Sequence, residues 1–165
     1  MGLYALGGSV VEVYLFDWGD TLMVDFPNVS GKMCDWIAVE SVVGAKDTLE
    51  SLSKHAQIYI ATGAEDSTEL EIKLAFERVG LSAFITGYFC KANLGLVKGS
   101  PDFLKAIISK LNKPVENIAM VGDNFEKDIK PALAVGINPI WFTPKTNEVF
   151  SENIRTISKL SKLCT

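Results

Sequence analysis

Carboxylate side chains follow a strongly apolar stretch near the beginning of this 165-residue chain. Residues 10–16 are rich in β-branched and aromatic residues, and Asp17, Gly19 and Asp20 come directly after them. An apolar run that ends in turn residues is typical of a strand buried on both faces of a parallel sheet. Ligands of open α/β sheets bind at the carboxyl ends of such strands. Because the same residues are common turn formers, this stretch alone leaves a functional and a purely structural explanation equally open.

Polar residues with matching chemistry follow the later apolar stretches. Thr62 comes after the second stretch, Lys98 lies in the connection after the third, and Asp123 follows the fourth, with Asp128 five residues further on. If these stretches are parallel strands, their carboxyl ends bring all of these side chains to one edge of a sheet. Carboxylates, a hydroxyl and an ammonium at one edge favour a site for a hard cation and a phosphate group.

Strands and helices are predicted to alternate along the chain. The predicted strands are residues 10–17, 57–61, 84–89, 118–121 and 138–142. The predicted helices are residues 45–54 and 65–79, one that begins at Ser100-Pro101, a short one that begins between 125 and 129, and part of 151–163. This alternation predicts an α/β fold of the Rossmann-like, doubly wound type, with a mostly parallel sheet and helices on both faces.

Residues 22–44 interrupt this alternation. They contain Pro27 and Gly31 and show no clear period, which predicts a short flap with little regular structure. The length of the chain suffices for one hydrophobic core but is too short for two. We therefore expect a single domain over residues 1–165, with the flap at about 22–44.

Composition and charge argue against several partners. The net charge of −4 and the absence of a basic cluster argue against a nucleic-acid surface. No apolar run reaches the roughly 18 residues of a membrane span. The N-terminus lacks the basic flank of a secretory signal. Three cysteines without CxxC spacing resemble reduced thiols, so we expect a cytoplasmic protein that binds neither nucleic acid nor membrane.

Four segments, taken together, carry a resemblance to a known family. They are Phe16-Asp17-Trp18-Gly19-Asp20-Thr21-Leu22, Ile60-Ala61-Thr62-Gly63, Lys98-Gly99-Ser100-Pro101-Asp102-Phe103, and Val121-Gly122-Asp123-Asn124 through Asp128. In this order they resemble the motifs of the haloacid dehalogenase-like (HAD) hydrolase superfamily, in a member with a minimal cap. The first and last segments are the specific ones. The resemblance implies a Mg²⁺-dependent hydrolase, with a small phosphomonoester as the expected substrate.

The resemblance also implies a metal site and a nucleophile. Asp17 would attack phosphorus and carry the phosphoryl group as an aspartyl-phosphate. Asp17 and Asp123 would bind Mg²⁺ together with the backbone carbonyl of Gly19, a ligand that glycine can supply as well as any residue. Asp128 would support the metal or its water ligands.

Two further residues would handle the phosphate. Thr62 and nearby backbone amides would hold phosphate oxygens. Lys98 would offset the negative charges of the nucleophile and the phosphate, which otherwise repel each other.

The chain departs from the family pattern at Gly19. Phosphatases of this superfamily usually carry a second Asp there, which protonates the leaving oxygen and later activates water; such help is worth about 10²–10⁴ in rate. Asp20 is the nearest replacement, because Gly19 permits a remodelled turn, although it could equally order the flap. Asp25 is a more distant alternative. The phosphonate-cleaving branch also lacks the acid, but it uses a lysine from a cap that this chain does not have.

Two other classes of protein compete with the phosphatase. A catalytically weak or inactive relative that binds a phosphorylated ligand or a protein is compatible with Gly19, but it would not need Asp17 as a nucleophile. A response-regulator receiver domain would place its phosphorylated Asp after the third strand, where this chain has Tyr88-Phe89-Cys90, so that class is excluded. An open site without a cap would suit a homodimer.

Overall fold

A computed structural model describes residues 10–144 and 154–164 and shows a single parallel sheet of six strands. The strands lie in the order β3-β2-β1-β4-β5-β6. They are β1 (Val13–Phe16), β2 (Gln57–Ala61), β3 (Gly87–Phe89), β4 (Ile118–Gly122), β5 (Asn138–Phe142) and β6 (Arg155–Ile157). The α-helices are α1 (Ala45–Ser53), α2 (Glu69–Glu77), α3 (Lys91–Leu94), α4 (Pro101–Leu111) and α5 (Lys130–Val135). The predicted Rossmann-like α/β fold is confirmed.

The two faces of the sheet bury different residues of the same strand. Tyr14 and Phe16 of β1 point into a core that also contains side chains of α1 and α2. Val13 and Leu15 point into a second core, which α4 and α5 help to form. All four β1 side chains are fully buried, as the continuous apolar run predicts for a strand covered on both faces. No helix within residues 10–144 and 154–164 has the length and apolar character needed to span a bilayer.

The chain differs from the prediction at several element boundaries. The first strand is shorter than residues 10–17, and β3 is shorter than residues 84–89, because a 3-10 turn occupies Ser82–Phe84. Helix α2 begins at Glu69 rather than at residue 65, because Thr68 and Glu71 form a reciprocal capping box at its start. Helix α3 lies in the segment predicted as the connection after the third strand. Strands β2 and β5 have the predicted bounds.

The C-terminal part was predicted to be partly helical and instead adds a strand. Residues 155–157 form β6, which pairs in parallel with β5, and residues 160–164 form a 3-10 helix. The prediction for residues 151–153 falls outside the described part of the chain. A three-residue strand is too short to show a period of its own, which is why its pairing with β5 was not foreseen.

Residues 22–44 form the expected flap, with a single 3-10 turn at Met33–Asp35. Its two ends are held together by hydrogen bonds from Val24 N to Glu40 O and from Val42 N to Leu22 O, both 2.8 Å long. Its tip is held by Arg78, whose guanidinium donates to the backbone carbonyls of Met33, Cys34, Trp36 and Ile37. Hydrogen bonds therefore hold the flap at both its base and its tip.

Strands β1 and β4 are neighbours at the centre of the sheet, although α1, α2 and α4 separate them in sequence. The chain builds outward from β1 through β2 and β3, and then returns to the other side of β1 through β4, β5 and β6. The strand order thus reverses between β1 and β4. Ligands of doubly wound sheets bind beyond the carboxyl ends of the strands at such a point, and here those ends carry Asp17 and Asp123.

Candidate active site

Asp17 is fixed at the end of β1 by the sheet itself. Its backbone N–H donates to Val121 O of β4 at 2.9 Å, which extends the parallel ladder by one residue. Its carboxylate emerges beyond the ladder and keeps 15% of its side-chain surface exposed. Asp17 Oδ1 accepts a hydrogen bond from Lys98 Nζ at 2.8 Å. The predicted nucleophile is therefore accessible and lies beside a cation.

Lys98 is a buried ammonium that joins three elements. Its Nζ lies 2.8 Å from Asp17 Oδ1 and 2.6 Å from Asp128 Oδ1, and only 4% of its side chain is exposed. It also donates to the carbonyl of Ala61, the last residue of β2, at 2.8 Å. These contacts use all three donors of an ammonium group. Lys98 thus has a fixed position and a full set of partners.

Asp123 lies beside Asp17 and is connected to it through Thr21. The Thr21 hydroxyl oxygen lies 3.4 Å from Asp17 Oδ2 and 3.3 Å from Asp123 Oδ1. Because the hydroxyl has a single proton, it donates to one of these two carboxylates at a time. The backbone carbonyl of Asp123 accepts from Trp141 Nε1 at 3.0 Å, which fixes the loop after β4 against β5. Thr21 is fully buried, so its position between the two carboxylates is constrained by packing.

Asp128 is brought to the site by an unusually wide turn. Residues Phe125–Ile129 form one turn of π-helix, and Asn124 caps it by accepting from Lys127 N at 2.9 Å. Asp128 Oδ2 accepts from Asn124 N at 3.0 Å while its Oδ1 faces Lys98. Gly122 makes this approach possible, because a Cβ atom there would overlap the carboxyl group of Asp128.

The three carboxylates carry more negative charge than Lys98 can neutralise. Burial, a hydrogen bond with Asp17, and the charges of Asp17 and Asp128 raise the pKa of Asp123 to about 7. Burial also raises the pKa of Asp128 to about 6, against the attraction of Lys98. Burial alone would lower the pKa of Lys98, but Asp17 and Asp128 outweigh it and the pKa is raised. The site therefore favours an additional positive charge.

A divalent cation fits the donor atoms at this position. One oxygen from each of Asp17, Asp123 and Asp128 lies within 4.8 Å of the others. Carboxylate oxygens are the ligands that Mg²⁺ prefers in proteins. Since both Asp128 oxygens already have partners, Asp17 and Asp123 are better placed to bind a metal directly, and Asp128 is better placed to hold Lys98 and the loop.

Thr62 lies at the next strand end. Its N–H donates to Phe89 O of β3 at 3.0 Å, and its Oγ1 accepts from Ala64 N at 3.1 Å. The hydroxyl proton is therefore still available to a ligand oxygen. Thr62 borders a cavity of about 270 Å³ together with Gly19, Asp25 and Trp18.

The turn after the nucleophile is tight and brings Asp25 back over Gly19. Asp20 has a φ of 60°, and its Oδ1 accepts from Asp25 N at 3.0 Å. Gly19 forms a bridge with Met23, and Asp20 N donates to Met23 O at 2.7 Å. A Cβ atom on Gly19 would lie 3.3 Å from Asp25 Cβ and 3.4 Å from Asp25 Oδ2. Burial and the charges of Asp20 and Asp17 raise the pKa of Asp25.

A second and larger cavity, of about 910 Å³, opens on the other side of this turn. Asp20, Asp25 and Asp123 line it on the side of the carboxylates, and flap residues 40–44 line another side. Asp25 lines both cavities, so this residue lies where the two spaces adjoin the turn. A ligand in this larger cavity would contact the flap.

The structure thus brings the predicted site residues to one edge of the sheet. Asp17, Lys98, Asp123 and Asp128 are in mutual contact or close proximity, while Thr62, Gly19 and Asp20 border the adjoining cavities. Thr21 and Trp141 also contact the site, although neither was predicted as a site residue. Thr21 lies within the first motif, four residues after Asp17, so the spacing could have suggested it. The position of Trp141 near Asp123 follows from the register of β4 and β5, in which Trp141 pairs with Gly122.

Comparisons with known proteins identify the family of this chain. The family model of the haloacid dehalogenase-like hydrolases matches residues 20–136. A curated relative, ribulose-1,5-bisphosphate 5-phosphatase from Halopiger xanaduensis, is 28% identical over 112 residues, which is 68% of this chain. The chain spans about half of that relative's length, 46%.

Solved structures share the fold. An uncharacterized protein from Listeria monocytogenes serotype 4b has a TM-score of 0.79 at 21% identity, covering 92% of this chain and 94% of the other. A HAD-hydrolase from Bacillus subtilis, solved with magnesium, has a TM-score of 0.74 at 16% identity, covering 93% and 96%. Because the family model covers most of the chain and the fold agrees with these structures, this protein belongs to the haloacid dehalogenase-like hydrolases, as a member with a flap in place of a cap.

Proposed function

We propose that this hydrolase is a Mg²⁺-dependent phosphatase that acts on a small phosphomonoester through an aspartyl-phosphate at Asp17. The observation that carries the proposal is the pairing of an accessible Asp17 with the buried Lys98 at 2.8 Å, beside two further carboxylates. A carboxylate held at the carboxyl edge of the sheet, next to a fixed cation, suits attack on a phosphoryl group. The relative named as a ribulose-1,5-bisphosphate phosphatase supports a phosphorylated small molecule as the substrate.

The metal would be held by Asp17, Asp123 and the carbonyl of Gly19. When bound, it would supply positive charge that reduces the repulsion between the carboxylates and a phosphate dianion. Asp128 would act indirectly, by holding Lys98 at 2.6 Å and the Asn124 amide at 3.0 Å.

The remaining steps fall to the chain's own groups. Asp17 would attack phosphorus with its accessible oxygen while Lys98 keeps the other oxygen, Oδ1, oriented. Lys98 would also compensate the charge that builds up on the transferring group. The Thr62 hydroxyl, whose oxygen is already occupied by Ala64 N, would donate its proton to a phosphate oxygen. Water would then cleave the aspartyl-phosphate and restore Asp17.

We also propose that the protein is cytoplasmic and forms a homodimer. Cys34, Cys90 and Cys164 are all free thiols, which supports a cytoplasmic protein. The open site beside the flap would suit a homodimer in which the partner covers the cavities.

The test is phosphate release from an aryl phosphate with Mg²⁺ and with EDTA. Wild-type turnover should require Mg²⁺, and Asp17→Asn should reduce it to the uncatalysed background, because the amide is not a nucleophile. Glu116→Gln is a matched control, since it removes one negative charge just before β4, at the opposite edge of the sheet. Absence of wild-type turnover despite measurable Mg²⁺ binding would favour a phosphate-binding relative instead.

A further inference from the structure

We propose that Asp25, carried by the flap, protonates the leaving group and later activates the hydrolytic water. The inference rests on the proposed phosphatase activity and adds one catalytic residue to it. An alkoxide is a poor leaving group, so a phosphatase for alkyl phosphates needs a proton donor on the side of phosphorus away from Asp17. Besides Asp20, Asp25 and Asp123, the acids that line the two cavities are Glu40 and Asp66, and Asp66 Oδ1 accepts from the Ser67 hydroxyl at 3.3 Å.

The carboxyls next to Asp17 already have other partners. Asp128 has both oxygens occupied, by Lys98 and by the Asn124 amide. Asp123 shares the Thr21 hydroxyl with Asp17 and lies where a cation would bind. Asp20 uses Oδ1 to accept from the Asp25 amide. Each of these groups therefore has a structural or ligand role that competes with proton donation.

Asp25 has the position and the freedom that the task requires. Its carboxyl group lies 3.4 Å, measured from Oδ2, from the point that a Cβ atom on Gly19 would occupy, two residues after Asp17. It borders both cavities beside the turn, so a leaving group in either one could contact it. Within residues 10–144 and 154–164, no hydrogen bond or ion pair to its side-chain oxygens is found.

Hydrogen bonds of Asp25 and of its neighbour Val24 hold this part of the flap backbone in place. Asp20 Oδ1 binds the Asp25 amide at 3.0 Å, and Val24 N binds Glu40 O at 2.8 Å. A donor must be held within hydrogen-bond reach of the leaving oxygen, and these contacts provide a fixed backbone next to a free carboxyl group. Gly19 leaves the space that the Asp25 side chain approaches.

In the proposed reaction, Asp25 first gives a proton to the leaving group and then takes one from water. The Asp17 carboxylate forms a bond to phosphorus as the bond between phosphorus and the ester oxygen breaks, and that oxygen takes the proton of the Asp25 carboxyl group and leaves as an alcohol. The Asp25 carboxylate then takes a proton from water while the water oxygen attacks phosphorus. Inorganic phosphate leaves, and Asp17 returns to its carboxylate form.

The test compares an aryl phosphate with an alkyl phosphate, using kcat/KM, which reports the steps up to the first phosphoryl transfer. In Asp25→Asn, kcat/KM for the alkyl phosphate should fall by about 10²–10³-fold. The value for the aryl phosphate should fall by less than about 10-fold, because a phenolate leaves without a proton. Asp35→Asn, an exposed flap acid outside both cavities, should leave both values unchanged.

A second readout does not depend on turnover. Asp25→Asn mixed with the aryl phosphate should accumulate the aspartyl-phosphate, seen by intact mass after a rapid acid quench, because water is no longer activated. The double variant Gly19→Asp/Asp25→Ala should regain much of the alkyl activity that Asp25→Ala alone loses, since the acid is returned to adjoining space.

The outcomes separate this inference from the proposed function. Equal losses for aryl and alkyl phosphates in Asp25→Asn, or a leaving-group effect that appears in Asp20→Asn and not in Asp25→Asn, would overturn the role of Asp25 while leaving the phosphatase intact. Absence of Asp17-dependent turnover in the wild type would overturn the phosphatase itself.

Discussion

Asp17, Asp123 and Asp128 carry more negative charge than Lys98 neutralises, which leads to a prediction about the stability of the protein. The prediction can be tested without knowledge of the substrate. Replacing Asp123 by Asn should stabilise the metal-free protein near pH 8, although it removes a proposed metal ligand. In the folded protein the pKa of Asp123 is raised from 3.8 to about 7. The folded protein therefore keeps a proton that the unfolded chain releases in this range. Stability of the wild type falls as pH rises through this window and is lowest above it.

The size of the effect follows from that shift. A rise of about three pKa units corresponds to about 4 kcal/mol for a fully buried group. Asp123 is only half-buried, so solvent screening should reduce the cost to about 2 kcal/mol. For a chain of this size, Asp123→Asn should then raise Tm by roughly 4–8 °C near pH 8 in EDTA. Near pH 4 most of the gain should disappear, because the folded carboxyl group is protonated and the carboxyl group of the unfolded chain, with its ordinary pKa of 3.8, is about half protonated.

The assay is thermal unfolding from about pH 4 to about pH 8, with EDTA and with Mg²⁺. Added Mg²⁺ should stabilise the wild type more than the variant, because a ligand that binds only the folded state adds to its stability. Glu116→Gln, with the same change in charge far from the site, should show no pH-dependent gain. The reasoning would be refuted if Asp123→Asn were no more stable than the wild type near pH 8 in EDTA, or if its advantage were the same at both ends of the range.

Two further predictions concern the parts of the fold that position the site. Gly122→Ala should reduce kcat by about 10–100-fold, because the new methyl group would displace Asp128 from Lys98. Steady-state kinetics on an aryl phosphate would decide, and an unchanged kcat would contradict the role given to Asp128. Arg78→Ala should release the tip of the flap and make trypsin cleavage after Lys32 faster, as followed by mass spectrometry over time. An unchanged rate would mean that other contacts, such as the Lys32–Glu71 ion pair at 2.7 Å, hold the tip of the flap without Arg78.

The sequence was most informative where chemistry and topology coincide. Asp17 and Asp123 follow buried strands whose neighbours could be inferred from the alternation of strands and helices, so their proximity could be predicted without coordinates. Lys98 was harder to place, because it lies in a loop. Its position depends on Gly99, at a φ of 120°, and on the carbonyl of Ala61, neither of which a pattern of apolar residues reveals.

The elements that were missed are short and depend on tertiary contacts. β6 and α3 have three and four residues, so neither can show a hydrophobic period, and each exists because of the neighbour against which it forms. The π-helical turn at 125–129 was predicted only as an ill-defined helix start. This turn places Asp128 over Gly122 and next to Lys98. Because these residues belong to separate elements, the local sequence does not reveal the contact.

The turn from residue 19 to residue 25 explains why distance along the chain is a poor guide to the proton donor. Asp20 is adjacent to Gly19, but its left-handed backbone, at a φ of 60°, directs its carboxylate to the Asp25 amide. The same turn returns Asp25 to within 3.3 Å of the space beside Gly19. Glycine at residue 19 therefore leaves room for the Asp25 side chain. An aspartate at residue 19 would occupy the same space as Asp25 and would place a second negative charge there. Gly19→Asp and Asp25→Ala should consequently be strongly non-additive, with Gly19→Asp harmful alone and beneficial when Asp25 is removed.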